Sequence, residues 1–152
     1  MNIQCELQEN HARPAMAIRT RTSVANLPQV LGEGFGKVAG HLGELGAFPA
    51  GAPFVAYFSM DMEDLDIEIG FPVSGQLPGK GDIQASQIPG GKQASCMYTG
   101  PYEQMPPAYE ALTKLVAEQG YDTTGVSYEF YLNDPGETPP EDLQTQIIFP
   151  LK

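Results

Sequence analysis

Of all the ionisable side chains in this sequence, Glu129 stands in the setting best suited to chemistry. It lies within residues 127–132, SYEFYL, a carboxylate set among aromatics. Aromatic side chains fit a pleated, half-buried surface, so the run reads as a strand. Alternation then places Glu129 on one face with Ser127 and Tyr131, and Tyr128, Phe130 and Leu132 on the other. A carboxylate on an apolar strand face loses hydration, and a ligand cation, backbone amides or a tyrosine hydroxyl can compensate it. Such a group can hold a cation or act as a general base. The residues alone leave binding, catalysis and a purely structural role open.

The surrounding sentence occurs twice. Residues 63–73 (EDLDIEIGFPV) are echoed by residues 141–151 (EDLQTQIIFPL). Upstream, aligning 54–61 (FVAYFSMD) with 127–134 (SYEFYLND) sets Ala56 opposite Glu129 and Phe58 opposite Tyr131. Phe35 falls opposite Tyr109, and Val38 opposite Leu112. Internal similarity with only two copies implies one domain built of two halves rather than a solenoid. On this alignment Ala56 and Phe58 share the face of Glu129 and Tyr131. The aromatics there can hold a flat or cationic ligand by stacking and cation–π attraction.

The elements that position these residues follow from periodicity. Residues 2–7 and 13–22 read as a hairpin, and 83–88 with 92–99 as another around Pro89-Gly90-Gly91. Residues 54–60 pair with 65–71, and 127–132 with the strand that ends the chain. Leu27, Val30, Leu31, Phe35, Val38, Leu42 and Leu45 recur at helical spacing, predicting a helix over 28–45. It carries Gly32, Gly34, Gly36, Gly40 and Gly43, each costing about 1 kcal/mol relative to alanine; either the helix is irregular or, the reading preferred here, they leave room beneath it. Met105, Ala108, Tyr109, Leu112, Leu115 and Val116 mark a second helix over 103–119. The fold class is therefore α+β: two pseudo-symmetric β-β-α-β-β repeats, about 1–74 and 82–152 with a linker at 75–81. Eight antiparallel strands form one sheet with two helices, in a single domain spanning 1–152.

Composition narrows the partners. The net charge is −11 with eight Lys and Arg, too few to neutralise a phosphate backbone, so no direct nucleic-acid binding is expected. An acidic field draws cations, small organic ones included. No apolar run is long enough to span a membrane, and the opening residues lack a basic and apolar leader, which predicts a cytoplasmic protein. Cys5 and Cys96 are expected as free thiols of a reducing compartment. No Cys or His pair has metal-site spacing, and no metal or cofactor is expected. His41 reads as a core histidine, His11 as a solvated one.

Several motifs carry a family resemblance: Ala52-Pro53-Phe54…Tyr57, Gly70-Phe71-Pro72-Val73, Tyr98-x-Gly100-Pro101-Tyr102-Glu103 and Glu129-x-Tyr131-Leu132-x-Asp134-Pro135. In this order they resemble the GyrI-like small-molecule-binding domain, the effector-binding domain of AraC-type regulators, over essentially the whole chain. The resemblance implies a concave sheet whose cleft takes hydrophobic and often cationic molecules, with a glutamate matching Glu129 inside it. Glu129, Tyr131, Phe58, Ala56, Tyr57, Tyr98 and Phe35 are the ligand-binding candidates on this reading. Family regulators add a helix-turn-helix, for which no segment is left here. The sequence also has no tryptophan, and Tyr98 stands where relatives often carry histidine. The expected role is a stand-alone module that senses or sequesters such molecules. The resemblance implies two alternatives: a hydrolase of cyclopropane-bearing compounds with Glu129 as general base, and an interaction protein resembling the gyrase inhibitors that give the family its name.

Overall fold

The computed structural model describes residues 3–59, 61–134 and 136–152. Asn2, Met60 and Pro135, expected at a strand start, a strand end and a turn, lie outside the described residues. The chain gathers into two compact units, one of Ala12–Pro89 and one of Gly90–Lys152 together with the residues up to His11. Among the described residues, eight antiparallel strands and two α-helices make the α+β class expected.

In the Ala12–Pro89 unit, β2 (Arg13–Thr22) pairs with β4 (Leu65–Pro72) on one side and β5 (Ile83–Ile88) on the other, and β3 (Phe54–Tyr57) completes the ladder beside β4. Helix α1 (Leu27–Glu44) starts with proline at its first turn, where a missing amide donor costs nothing. It buries Val38 and Leu42 against Met16, Ile18 and Ile83. His41 Nε2 donates to the Pro78 carbonyl at 2.8 Å, so this buried histidine fastens the 75–81 segment to the helix.

In the other unit, β1 (Ile3–Asn10) pairs with β6 (Gly91–Thr99), β6 with β8 (Gln144–Pro150), and β8 with β7 (Ser127–Tyr131). A 3-10 turn at Tyr102–Gln104 leads into α2 (Pro106–Glu118). Ala108, Leu112 and Val116 recur on its sheet-facing side and bury against Ala94, Cys96, Ile147 and Phe149. A fully buried Leu112 or Ile147 contributes about 1.5–3 kcal/mol relative to exposure.

Two expectations are corrected here. The hairpins 2–7/13–22 and 83–88/92–99 do not form; they exchange partners, β1 joining β6 and β2 joining β5. Each strand thereby finds a matching ladder in its own compact unit, which turn residues alone cannot specify. The glycines of α1 also do not open a space below it. Gly32, Gly36, Gly40 and Gly43 are exposed and face nothing within 4 Å. Only Gly34 is buried, where a Cβ would stand 2.8 Å from Ile69 Cδ1. That glycine lets the helix approach the sheet closely.

Candidate functional site

Strand β7 places Glu129 directly opposite Ile147, Ile147 opposite Cys96, and Cys96 opposite Cys5. Cross-strand partners share a face, and Ile147 and Cys96 pack under α2, so Glu129 points to the helix side of its sheet. It is 8% exposed. Tyr109 on α2 donates its hydroxyl to Glu129 Oε2, and Tyr131 donates to Oε1 at 2.7 Å. Each carboxylate oxygen thus has a phenol partner. Among the described residues no Lys, Arg or His is paired with it. Burial pushes the Glu129 carboxyl above its ordinary pKa, and the two phenol hydrogen bonds oppose that shift without cancelling it.

The aromatics around it are held by their own contacts. Tyr102 meets the Tyr131 ring edge-on, centroids 5.7 Å apart, and Tyr109 meets Phe149 at 5.8 Å. Burial raises the Tyr102 phenol, helped by the nearby charges of Glu129 and Asp134. Tyr98 stands in the next cross-strand row, opposite Thr145, which is opposite Tyr131. Its hydroxyl donates to the Pro101 carbonyl at 2.7 Å. Gly100, at φ 148°, leaves the space: a Cβ there would lie 2.8 Å from that hydroxyl. Tyr98 therefore braces the turn that delivers Tyr102. Thr145 Oγ1, fully buried between Tyr98 and Tyr131, has no hydrogen-bond partner among the described residues.

The ladders also correct the repeat alignment. Ile147 is the repeat equivalent of Ile69, and Ile69 is opposite Val55, so Val55 corresponds to Glu129. Tyr57, opposite Ile67, likewise corresponds to Tyr131, opposite Thr145. Ring contacts agree: Phe35 on α1 meets Phe71 at 5.8 Å, as Tyr109 on α2 meets Phe149. Ala56, expected opposite Glu129, is opposite Glu68. Because Ile69 lies under Gly34 of α1, Glu68 and Ala56 belong to the face turned away from that helix. The ladder register differs from the sequence alignment by one residue, and in a strand such an offset inverts every side chain.

The remaining candidates divide accordingly. Glu129 and Tyr131 are brought into direct contact. Tyr57 is buried on the α1 side of its sheet, and Phe35 lies edge-on to Phe71. Ala56 is fully buried on the reverse face, and Phe58 lies beneath the Arg19 guanidinium, 3.7 Å from its centroid. Tyr109 was not among the candidates. Its signal was present: it is the hydroxyl-bearing counterpart of Phe35, in the half whose strand carries the carboxylate. No group of three or more His, Cys, Asp or Glu suited to a metal occurs among the described residues, and no described helix is long and apolar enough to cross a membrane.

Comparison with known proteins adds three findings. The family model described as a GyrI-like small molecule binding domain matches residues 3–152. No curated protein sequence matches. Among solved structures, the EcmrR C-terminal domain superposes with a TM-score of 0.81 at 20% identity, covering 100% of this chain and 99% of that one. EcmrR in its DNA complex within EcmrR-RPo gives 0.85 at 19%, and there the chain spans only 58% of the relative's length. SAV2435 bound to tetraphenylphosphonium gives 0.59 at 14% identity, covering 98% of this chain and 94% of that one. At these identities the likeness is one of fold.

Proposed function

Because this chain belongs to the GyrI-like small-molecule-binding family, we propose that it binds hydrophobic, cationic or aromatic small molecules at Glu129, with Tyr109 and Tyr131 as the flanking groups. One observation carries the reading: a buried carboxylate whose partners among the described residues are two phenols and no side-chain cation. A negative charge on such a group stands without a neutralising partner at low dielectric, and a ligand cation with a desolvated apolar body is its natural complement. The ring of Tyr131 and that of Tyr102 beside it offer faces and edges to that body. The net charge of −11 adds long-range attraction for a cation. SAV2435, a relative in fold, is known with tetraphenylphosphonium bound, which makes this cation a suitable probe. Tyr98, in the next cross-strand row of the same unit, completes the proposed set of ligand-site residues.

The test is calorimetric titration with tetraphenylphosphonium and, in parallel, with neutral triphenylphosphine oxide. Saturable binding of the cation, with the neutral compound weaker by tenfold or more, is the expected result. Equal affinities, or no binding by either, would defeat the reading.

The raised carboxyl pKa supports a second reading in which Glu129 takes a proton from water during hydrolysis of a reactive ligand. A fold relative from Listeria innocua is described as a hydrolase, at 12% identity and a TM-score of 0.68, with 98% of this chain and 92% of that one covered. Product formed catalytically by the wild type and lost in Glu129→Gln would favour this reading; stoichiometric binding without product would exclude it for the compounds tried.

A further inference from the structure

The cross-strand row that ends at Glu129 begins with two thiols. Cys5 and Cys96 are direct partners on the β1–β6 ladder, and both are free. Facing residues on antiparallel strands have Cα separations of about 4.5–5.5 Å, within the roughly 4.4–6.8 Å that disulfides span. Cross-strand partners also project to the same face, so the two sulfur atoms approach each other and Cys5 lies within hydrogen-bonding reach of Cys96. Their environments differ. Cys96 is fully buried in the cluster formed by Ala108, Leu112 and Ile147, whereas Cys5 lies at the margin of that cluster and is partly exposed. Within its unit β1 has β6 on one side only, so Cys5 is carried by a strand at the unit's edge.

We propose that Cys5 and Cys96 form a thiol-oxidation site, which closes an intrachain cross-strand disulfide when the protein meets a low-molecular-weight disulfide. The order of events follows from burial. The Cys5 thiolate attacks one sulfur of the small disulfide; a Cys5 mixed disulfide forms and the first small thiolate leaves. Cys96 gives up its proton to solvent base, attacks the Cys5 sulfur and expels the second small thiolate. Two protein thiols are oxidised to one disulfide, and one small disulfide is reduced to two thiols. Burial, with the adjacent Cys5, pushes the Cys96 thiol up to about 12, which suits it to the second step rather than the first. Contact with Cys5 supplies the effective concentration that the second step requires. The closed bridge fastens β1 to β6 and encloses a long stretch of chain, so it restricts the unfolded state strongly.

The test uses the full chain under native conditions with oxidised glutathione, followed by intact mass and thermal melting. The wild type should lose the mass of two hydrogens and melt roughly 5 °C or more higher, both changes reversing with dithiothreitol. Cys96→Ser should instead retain one glutathione on Cys5, and Cys5→Ser should stay unmodified while folded. Cys96→Ala replaces Cys96→Ser if the hydroxyl at a buried position prevents folding. A wild type that keeps the glutathione adduct without bridging, or that stays reduced, overturns the proposal. Modification of Cys5→Ser at the wild-type rate overturns the order of attack.

Discussion

Tyr109 donates a hydrogen bond to Glu129 at the very repeat positions where the other unit carries Phe35 and Val55. Both partners are polar in one unit and both are apolar in the other. The carboxylate and the phenol are therefore a matched pair, each supplying what the other needs when buried, and neither is matched by the apolar residue of its counterpart.

That relationship predicts strong coupling in a double-mutant cycle. Tyr109→Phe leaves a buried carboxylate oxygen without its donor and should cost about 1–3 kcal/mol. Glu129→Val removes the acceptor of that hydrogen bond. Tyr109→Phe with Glu129→Val reproduces the apolar solution of the other unit and should be much less destabilised than the two singles added. The coupling energy, read from urea unfolding, should fall within about 0.5–3 kcal/mol. Additive effects would show that the two groups do not depend on one another.

The α1 glycines give a second prediction. Gly36→Ala and Gly40→Ala meet open space and should each stabilise the protein by about 0.5–1 kcal/mol through helix propensity and a less free unfolded chain. Gly34→Ala gains the same propensity but drives a methyl group into Ile69, whose Cδ1, Cγ2 and Cβ lie 2.8, 3.1 and 3.4 Å from the new atom. Its midpoint in urea should fall below that of either neighbour and below wild type. Equal stabilisation at all three positions would remove the close-approach role given to Gly34.

Much of this architecture was legible in the sequence, and the misses have local causes. Apolar spacing marked α1 at Leu27–Glu44 and α2 at Pro106–Glu118 to within a few residues, because each helix carries its own periodic signal. Partner choice among strands is not local. The turns at 9–12 and around Pro89 announced hairpins, yet β1 and β2 pair elsewhere. Glu129 stood out because a carboxylate among aromatics is conspicuous; Tyr109 did not, because an aromatic on an apolar helical stripe looks like ordinary core. The one-residue slip that chose Ala56 over Val55 came from aligning across turns of unequal length, where sequence similarity sets no register but hydrogen bonding does.

Charge and shape at the site are separable. Glu129→Gln keeps volume and hydrogen-bonding reach and removes the charge; Tyr131→Phe keeps the ring and removes the hydroxyl. If the site selects cations, Glu129→Gln should weaken tetraphenylphosphonium by about 1.5–3 kcal/mol, the range for hydrogen bonds to charged groups, and leave triphenylphosphine oxide nearly unchanged. Tyr131→Phe also removes a hydrogen bond that favours the ionised carboxylate, so it should weaken tetraphenylphosphonium by less than Glu129→Gln does and leave triphenylphosphine oxide nearly unchanged. A cation-to-neutral preference that survives Glu129→Gln would assign the carboxylate a structural role.

The pH dependence of stability should carry the signature of the same carboxyl group. In the folded chain burial holds Glu129 above its ordinary value of 4.5, so over the interval between these two values the folded state keeps a proton that the unfolded state has lost. Stability then falls as pH rises. The contribution of Glu129 is fully present below the unfolded value and is lost as pH climbs through the folded one. Asp66, held low chiefly by its hydrogen bond to Arg19, acts in the opposite sense, and its share cancels when wild type is compared with Glu129→Gln at each pH. The stability of the wild type relative to that variant should decline from about pH 4.5 upward and level off above the folded value. Cation binding should follow the reverse course, weakening as pH drops across the same interval, because a protonated carboxyl offers no charge. Urea midpoints and tetraphenylphosphonium affinities measured in steps over that interval test both slopes together. Parallel stability curves for wild type and variant would mean that Glu129 titrates alike folded and unfolded, and the phenol-bonded, desolvated state described for it would have to be abandoned.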